Sequence, residues 1–311
     1  MMTRWAFLFP GQGSQAVGMG RSFWENYSVA KEFFERADSI LGYPLSRLCF
    51  EGPEEELKLT RNTQPALLTV STIAYALLDL KPALAAGHSL GEYSALVAAG
   101  SLNFEDAVRL VHGRGRYMQE AVPVGQGAMA AVLGVDGPAV LHALGQVKSG
   151  TVEVANWNSP EQVVIAGHKE SVDEALKIMK APRSILLPVS APFHSSLMKS
   201  AEERLGPDLD RTEFRDPMFP IVTNVEAEVI RTGSEAREAL KRQVSRPVLW
   251  LQTMEVMRAQ GFSQFLELGA GKVLSGLAKR IGRTWPQPAS CRNIEDAESL
   301  EKARLIISGT G

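Results

Sequence analysis

Only two cysteines, Cys49 and Cys291, occur in 311 residues, far apart and with no second cysteine or histidine at metal-ligand spacing. Neither a disulfide framework nor a zinc site is therefore expected, and a reducing cytosol fits best. Long apolar runs are missing too. No segment approaches the ~20 apolar residues that span a bilayer, and Trp5 to Phe9 is too short for a signal-peptide core and stops at Pro10-Gly11. Charge of one sign is not in excess: Lys and Arg number 33 against 35 Asp and Glu, a formal net charge of -2. That balance argues against nucleic acid or a membrane surface as a partner. With 45% hydrophobic and 22% charged residues, and without repeats or low-complexity linkers, the chain reads as an ordinary globular protein of one large domain or two unequal lobes.

Cofactor fingerprints are likewise wanting. Gly11-x-Gly13-x-x-Ala16 after a strand mimics a dinucleotide loop, but Pro10 breaks the tight turn and no acidic residue closes a second strand ~20 positions on. Gly269-Ala270-Gly271-Lys272 lacks the earlier glycine and the Ser/Thr of a phosphate loop, so it reads as a helix start. No bound cofactor and no metal are expected.

What the chain does contain is an alternation of strands and helices. A buried strand at Trp5 to Phe9 precedes a helix over 65–80, with Pro65 at its start, then a strand at 83–86 and a small-residue helix at 92–99. This predicts an α/β fold with a parallel sheet. From about 127 to 190 the order becomes strand 127–134, helix 137–147, strands 151–156 and 161–167, helix 171–180 and strand 184–189, the βαββαβ order of a ferredoxin-like unit. It reads as a small lobe, 126–192, inserted into a large lobe of residues 1–125 and 193–311. Strands at 219–223 and 264–268 are expected to complete the large lobe's sheet.

Gly87-His88-Ser89-Leu90-Gly91 lies between the strand and helix. A serine forced into such a turn projects its hydroxyl outward, and only glycine-sized neighbours tolerate the crowding. The helix that follows aims its free N–H groups at the site, where they favour charge developing on an acyl oxygen. Of five histidines, His112 and His142 occupy polar helical positions, His168 a charged turn, and His88 is expected to turn away from the serine. His194, in the loop Ser190-Ala191-Pro192-Phe193-His194-Ser195-Ser196, is the expected base. No acid stands out as a third member, so a backbone carbonyl is expected to orient the imidazole. Arg114 sits in the apolar stripe Ala107, Leu110, Val111, Met118 and Ala121 of a helix over 104–121. A buried guanidinium needs an acceptor, either an internal carboxylate or one carried by the substrate.

With these residues in place, the whole chain resembles the malonyl-CoA:acyl carrier protein transacylases. The matching segments are Phe9-Pro10-Gly11-Gln12-Gly13-Ser14-Gln15, Gly87 to Glu92, Arg114-Gly115-Arg116-Tyr117-Met118-Gln119, Asn158-Ser159-Pro160, Pro192-Phe193-His194-Ser195 and Gly269 to Lys272; the tail after about 284 carries none. The resemblance implies an α/β-hydrolase-like large lobe with an inserted ferredoxin-like small lobe. It implies malonyl-CoA and a phosphopantetheinylated acyl carrier protein as substrates, with Ser89 taking the malonyl group and His194 acting as base and then acid. By the same resemblance the Gln12 and Leu90 N–H groups form the oxyanion hole, Arg114 binds the malonyl carboxylate, and the Gln243 carbonyl holds His194. Phe193 resembles the malonyl-selective rather than the methylmalonyl-selective members. A cytoplasmic monomer serving fatty acid synthesis is the expectation; polyketide synthesis, then a serine thioesterase, are the alternatives. Lys272, Lys279 and Arg283, on one helix face, read either as a solvated face or as a meeting place for an acidic carrier protein.

Overall fold

The computed structural model describes residues 4–189 and 191–308, so Ser190, at the head of the histidine loop, lies outside the described residues. The strands are β1 (Ala6–Phe9), β2 (Leu84–Gly87), β3 (Gly127–Leu133), β4 (Val152–Ser159), β5 (Gln162–His168), β6 (Arg183–Leu186), β7 (Ile221–Val222), β8 (Val229–Ile230), β9 (Gln264–Leu268) and β10 (Ser290–Ile294). Six form one sheet in the order β10-β9-β1-β2-β7-β8. Its pairs are parallel except β7 with β8. The other four form a fully antiparallel sheet, β4-β5-β3-β6.

The first sheet is apolar on both faces because helices cover both. Successive residues of β1 point to opposite sides, so Phe7 and Phe9 join the core beneath helices Thr60–Leu78 and Phe104–Glu120, while Ala6 and Leu8 pack with Trp250, Met254 and Leu277. In the second sheet Ala130, Val132 and Ile165 pack against helices Gly137–Leu144 and Lys169–Met179. Met129, Ala131, Val164 and Ala166, on its other face, belong to the main core. An isolated parallel bridge ties β4 to the segment leading into helix Trp250–Ala259: Trp157 N–H donates to the Val248 carbonyl at 2.9 Å, and Val248 N–H to that of Ala155 at 2.8 Å.

Several expectations need correcting. The helix read as starting at Pro65 begins at Thr60, with Pro65 inside it. Proline has no N–H for the Arg61 carbonyl four residues back, and His112 Nδ1 donates there instead at 3.1 Å. His112 is therefore half-buried rather than on a solvated face. The strand expected over 219–223 shortens to Ile221–Val222, and the second strand of the 127–190 unit runs on through Asn158 to Ser159. The tail is part of the fold: β10 extends the sheet beside β9, and helix Ala297–Ile307 follows, capped by Asp296.

Candidate active site

β2 ends at Gly87 and helix Leu90–Ala98 starts at residue 90, so the chain must reverse within His88 and Ser89. Ser89 does this at φ 51° and ψ -107°, a conformation that costs a side-chain-bearing residue about 1–3 kcal/mol. Three hydrogen bonds hold it there. Ser89 N–H donates to Asn224 Oδ1 at 2.6 Å, Asn224 Nδ2 donates to the Gly87 carbonyl at 2.6 Å, and Gln243 Nε2 donates to the Ser89 carbonyl at 3.0 Å. The flanking glycines follow from space alone. A Cβ on Gly87 would stand 1.8 Å from the Gly91 carbonyl carbon, and one on Gly91 2.0 Å from the Phe9 carbonyl oxygen.

The loop between β6 and helix Lys199–Arg211 carries His194 to the same point. Its Nε2 lies 2.7 Å from Ser89 Oγ, and its Nδ1 lies 2.9 Å from the Gln243 carbonyl and 3.2 Å from that of Arg246. Carbonyls only accept, so the ring proton sits on Nδ1 and the Nε2 lone pair faces the serine hydroxyl. Burial, reinforced by the positive charge of Arg114, pushes the imidazole down to about 3. A neutral ring at ordinary pH can take a proton. Its NMR signals should accordingly remain those of the Nδ1–H tautomer as pH falls from about 8 to about 5. Protonation midway through that range would show an exposed, ordinary histidine.

Arg114 is 1% exposed and sits on the buried face of its helix with Ala107, Leu110, Val111 and Met118. One terminal nitrogen donates to Gln64 Oε1 at 2.9 Å; the other donates to Gln243 Oε1 at 2.8 Å and to Ser89 Oγ at 3.1 Å. The guanidinium carbon lies 5.6 Å from the centre of the Tyr93 ring, and its Nε–H finds no acceptor. Of the two partners left open for it, no internal carboxylate reaches ion-pair distance among the described residues: amide oxygens accept from the guanidinium, and the buried Glu92 acts on it only through space.

Ser89, His194 and Arg114 face one cavity of about 620 Å³, lined also by Gln12, Leu90 and Phe193. Neither the Gln12 nor the Leu90 main-chain N–H donates to an acceptor among the described residues. His88, expected to point away from the serine, bonds to Asn158 Oδ1 through Nε2 at 2.9 Å and packs on Trp250. Four participants escaped the sequence reading: Gln64, Asn224, Glu92 and the Gln243 side chain. Glu92 closes the elbow segment and Gln64 precedes a proline, which are faint signals; Asn224 follows a two-residue strand and gave none. The basic face suggested for a partner is partly spent inside the molecule, since Lys272 pairs with Glu295 at 3.0 Å and Arg283 with Glu161 at 3.5 Å.

Residues 6–303 match the acyl transferase domain family. The chain belongs to this family. The match runs past residue 284, so the tail carries family signal that the sequence reading denied it. The malonyl CoA-acyl carrier protein transacylase of Escherichia coli (strain K12) is 49% identical over 308 residues, covering 96% of this chain and all of that one. Its counterpart in Bacillus subtilis (strain 168) is 45% identical, covering 97% of this chain and 96% of that protein. Among solved structures, a malonyl-transacylase in complex with a type II PKS acyl-carrier protein superposes with a TM-score of 0.93 at 44% identity, covering 97% of this chain and 99% of that one. Like those transacylases, the chain is an acyltransferase. Among its described residues no group of His, Cys, Asp or Glu is placed to hold a metal ion, and no helix is long and apolar enough to cross a membrane.

Proposed function

We propose that this acyltransferase moves the malonyl group of malonyl-CoA to the phosphopantetheine thiol of an acyl carrier protein through a malonyl-serine at Ser89. One arrangement carries the reading. Ser89 Oγ, 2.7 Å from a neutral His194, also accepts from a buried guanidinium whose direct partners are a hydroxyl and two amide oxygens rather than a carboxylate.

In the first half-reaction His194 Nε2 takes the hydroxyl proton as Ser89 Oγ bonds to the thioester carbon. The N–H groups of Gln12 and Leu90, with the helix N-terminus behind Leu90, receive the negative oxygen. The carbon–sulfur bond breaks and His194 returns the proton to the departing coenzyme A sulfur. In the second, the carrier thiol gives its proton to His194 and attacks the acyl-serine, and Ser89 leaves and recovers the proton. The Gln243 carbonyl orients His194 throughout. Arg114 takes the malonyl carboxylate as a two-point ion pair, and Phe193 on the cavity wall favours malonyl over branched methylmalonyl groups. Exchange between thioesters is nearly balanced, so the enzyme's task is excluding water; Met118, Met129, Val164 and Leu187 along the cavity serve that end.

The two sheets support dividing the chain into an α/β-hydrolase-like lobe of residues 1–125 and 193–311 and a ferredoxin-like lobe of 126–192, whose strand and helix order matches that arrangement. The protein works as a cytoplasmic monomer without a bound cofactor and supplies extender units for fatty acid synthesis. The relative solved with a type II PKS carrier favours polyketide synthesis as the second reading.

The test is incubation with labelled malonyl-CoA and no thiol acceptor. A persistent malonyl adduct on the peptide bearing Ser89 is expected. Steady release of free malonate would instead identify a thioesterase, and no adduct at all a binding module.

A further inference from the structure

Glu92 is fully buried, in the first turn of helix Leu90–Ala98, and no step of the transfer proposed above uses it. Its Oε2 accepts from the Asn224 N–H at 3.0 Å and from Gln243 Nε2 at 2.8 Å, while its Oε1 has no partner. A carboxyl group buried with one oxygen unsatisfied is costly, and an apolar side chain of similar size would fill the space more cheaply. The residue it holds, Gln243, touches Ser89, His194 and Arg114 alike. Its main-chain oxygen meets His194 Nδ1, its Oε1 meets Arg114, and its Nε2 meets the Ser89 carbonyl.

An amide side chain can turn over with almost no change in shape. Turned over here, Gln243 would present its NH2 group to the guanidinium and its oxygen to the Ser89 carbonyl and to Glu92, donor against donor and acceptor against acceptor. Glu92 opposes that state most strongly, because its contact with Nε2 is charge-assisted while that of the Ser89 carbonyl is not. Burial lifts the Glu92 carboxyl to about 7, against the pull of the Gln243 and Asn224 hydrogen bonds and the charge of Arg114. Even protonated, the group keeps a carbonyl oxygen that can accept.

We propose that Glu92 is a positioning residue for acyl-group selection: it fixes the Gln243 amide with Oε1 against Arg114, so that the guanidinium is held in place for an acid-bearing acyl group. The inference rests on the reading of Arg114 as the carboxylate-binding residue. It differs from a role in folding alone, because losing it should harm charged acyl groups more than neutral ones.

The experiment compares acylation of Ser89 by malonyl-CoA and by acetyl-CoA in Glu92→Leu, Glu92→Gln and Gln243→Leu, each also checked by thermal melting. Glu92→Leu should lower kcat/KM for malonyl-CoA by about 30-fold, chiefly through KM, and for acetyl-CoA by no more than about threefold. Glu92→Gln, which keeps an accepting oxygen, should recover most of the malonyl loss. Equal losses for the two acyl groups, or no recovery in Glu92→Gln, would overturn the proposal. Should Glu92→Leu not fold, Gln243→Leu decides: it keeps the main-chain carbonyl but removes the amide, and an unchanged malonyl-to-acetyl ratio there overturns the proposal equally. Arg114→Ala, run beside them, separates the two levels. An unchanged ratio in that variant means the carboxylate reading itself is wrong, whereas a change there but not in the others removes only the role of Glu92.

Discussion

Ser89→Ala abolishes the malonyl adduct and slows transfer by roughly 10⁴- to 10⁶-fold, as removal of the nucleophile does in other serine enzymes, while malonyl-CoA still binds. Binding survives because the cavity wall, the Gln12 turn and the Arg114 guanidinium do not depend on the hydroxyl. Locally, His194 Nε2 loses the hydroxyl it meets at 2.7 Å and Arg114 loses an acceptor it holds at 3.1 Å, which leaves that N–H free for the substrate. Single-turnover transfer and calorimetric binding, measured on one preparation, check both halves. An alanine variant that still accumulated a malonyl-protein adduct would move the nucleophile elsewhere.

The second large effect belongs to Arg114→Ala. Truncating one side of a buried, hydrogen-bonded charge pair costs about 2–5 kcal/mol, so malonyl transfer should fall by roughly 100-fold or more while transfer of an uncharged acetyl group falls far less. The absolute rate is a poor measure here. Gln64 Oε1 and Gln243 Oε1 both lose a buried donor in this variant, and each orphaned acceptor costs about 1–3 kcal/mol of stability. The ratio of malonyl to acetyl kcat/KM cancels that general loss. Arg114→Lys should restore only part of the ratio, because an ammonium carries the charge without the planar fork. Equal losses for the two acyl groups would make Arg114 a structural residue.

Much of the site was legible because its residues obey local rules. Ser89 is announced by glycines that the crowding at Phe9 and Gly91 makes obligatory. Arg114 is announced by standing in an apolar stripe where a guanidinium does not belong. His194 was reachable by elimination. Gln243 illustrates where legibility stops: its main-chain carbonyl was expected from family resemblance, but its side chain turns out to bridge Ser89, Glu92 and Arg114. Those contacts join positions up to 154 residues apart, and no periodicity or spacing along the chain encodes them. Asn224 was silent for the same reason.

The fold shows the same division. Parallel strands of four apolar residues were found where burial on both sides left a continuous run, as in β1 and β2. β10, Ser-Cys-Arg-Asn-Ile, was not found, because at the edge of the sheet it keeps polar residues and shows no apolar run. The misplaced helix start has a local cause. Pro65 is usually a sign of a first turn, and here the carbonyl it strands at Arg61 is taken by His112, a partner 51 residues away.

Ser89 and His194 are 105 residues apart in sequence and meet only across completed tertiary structure. The elbow alone therefore holds an unarmed hydroxyl. A nascent or half-assembled chain has no means of consuming acyl thioesters, and in refolding the capacity to be acylated should return with the last long-range contacts rather than with the helices, which makes the acyl-enzyme a chemical clock for the end of folding.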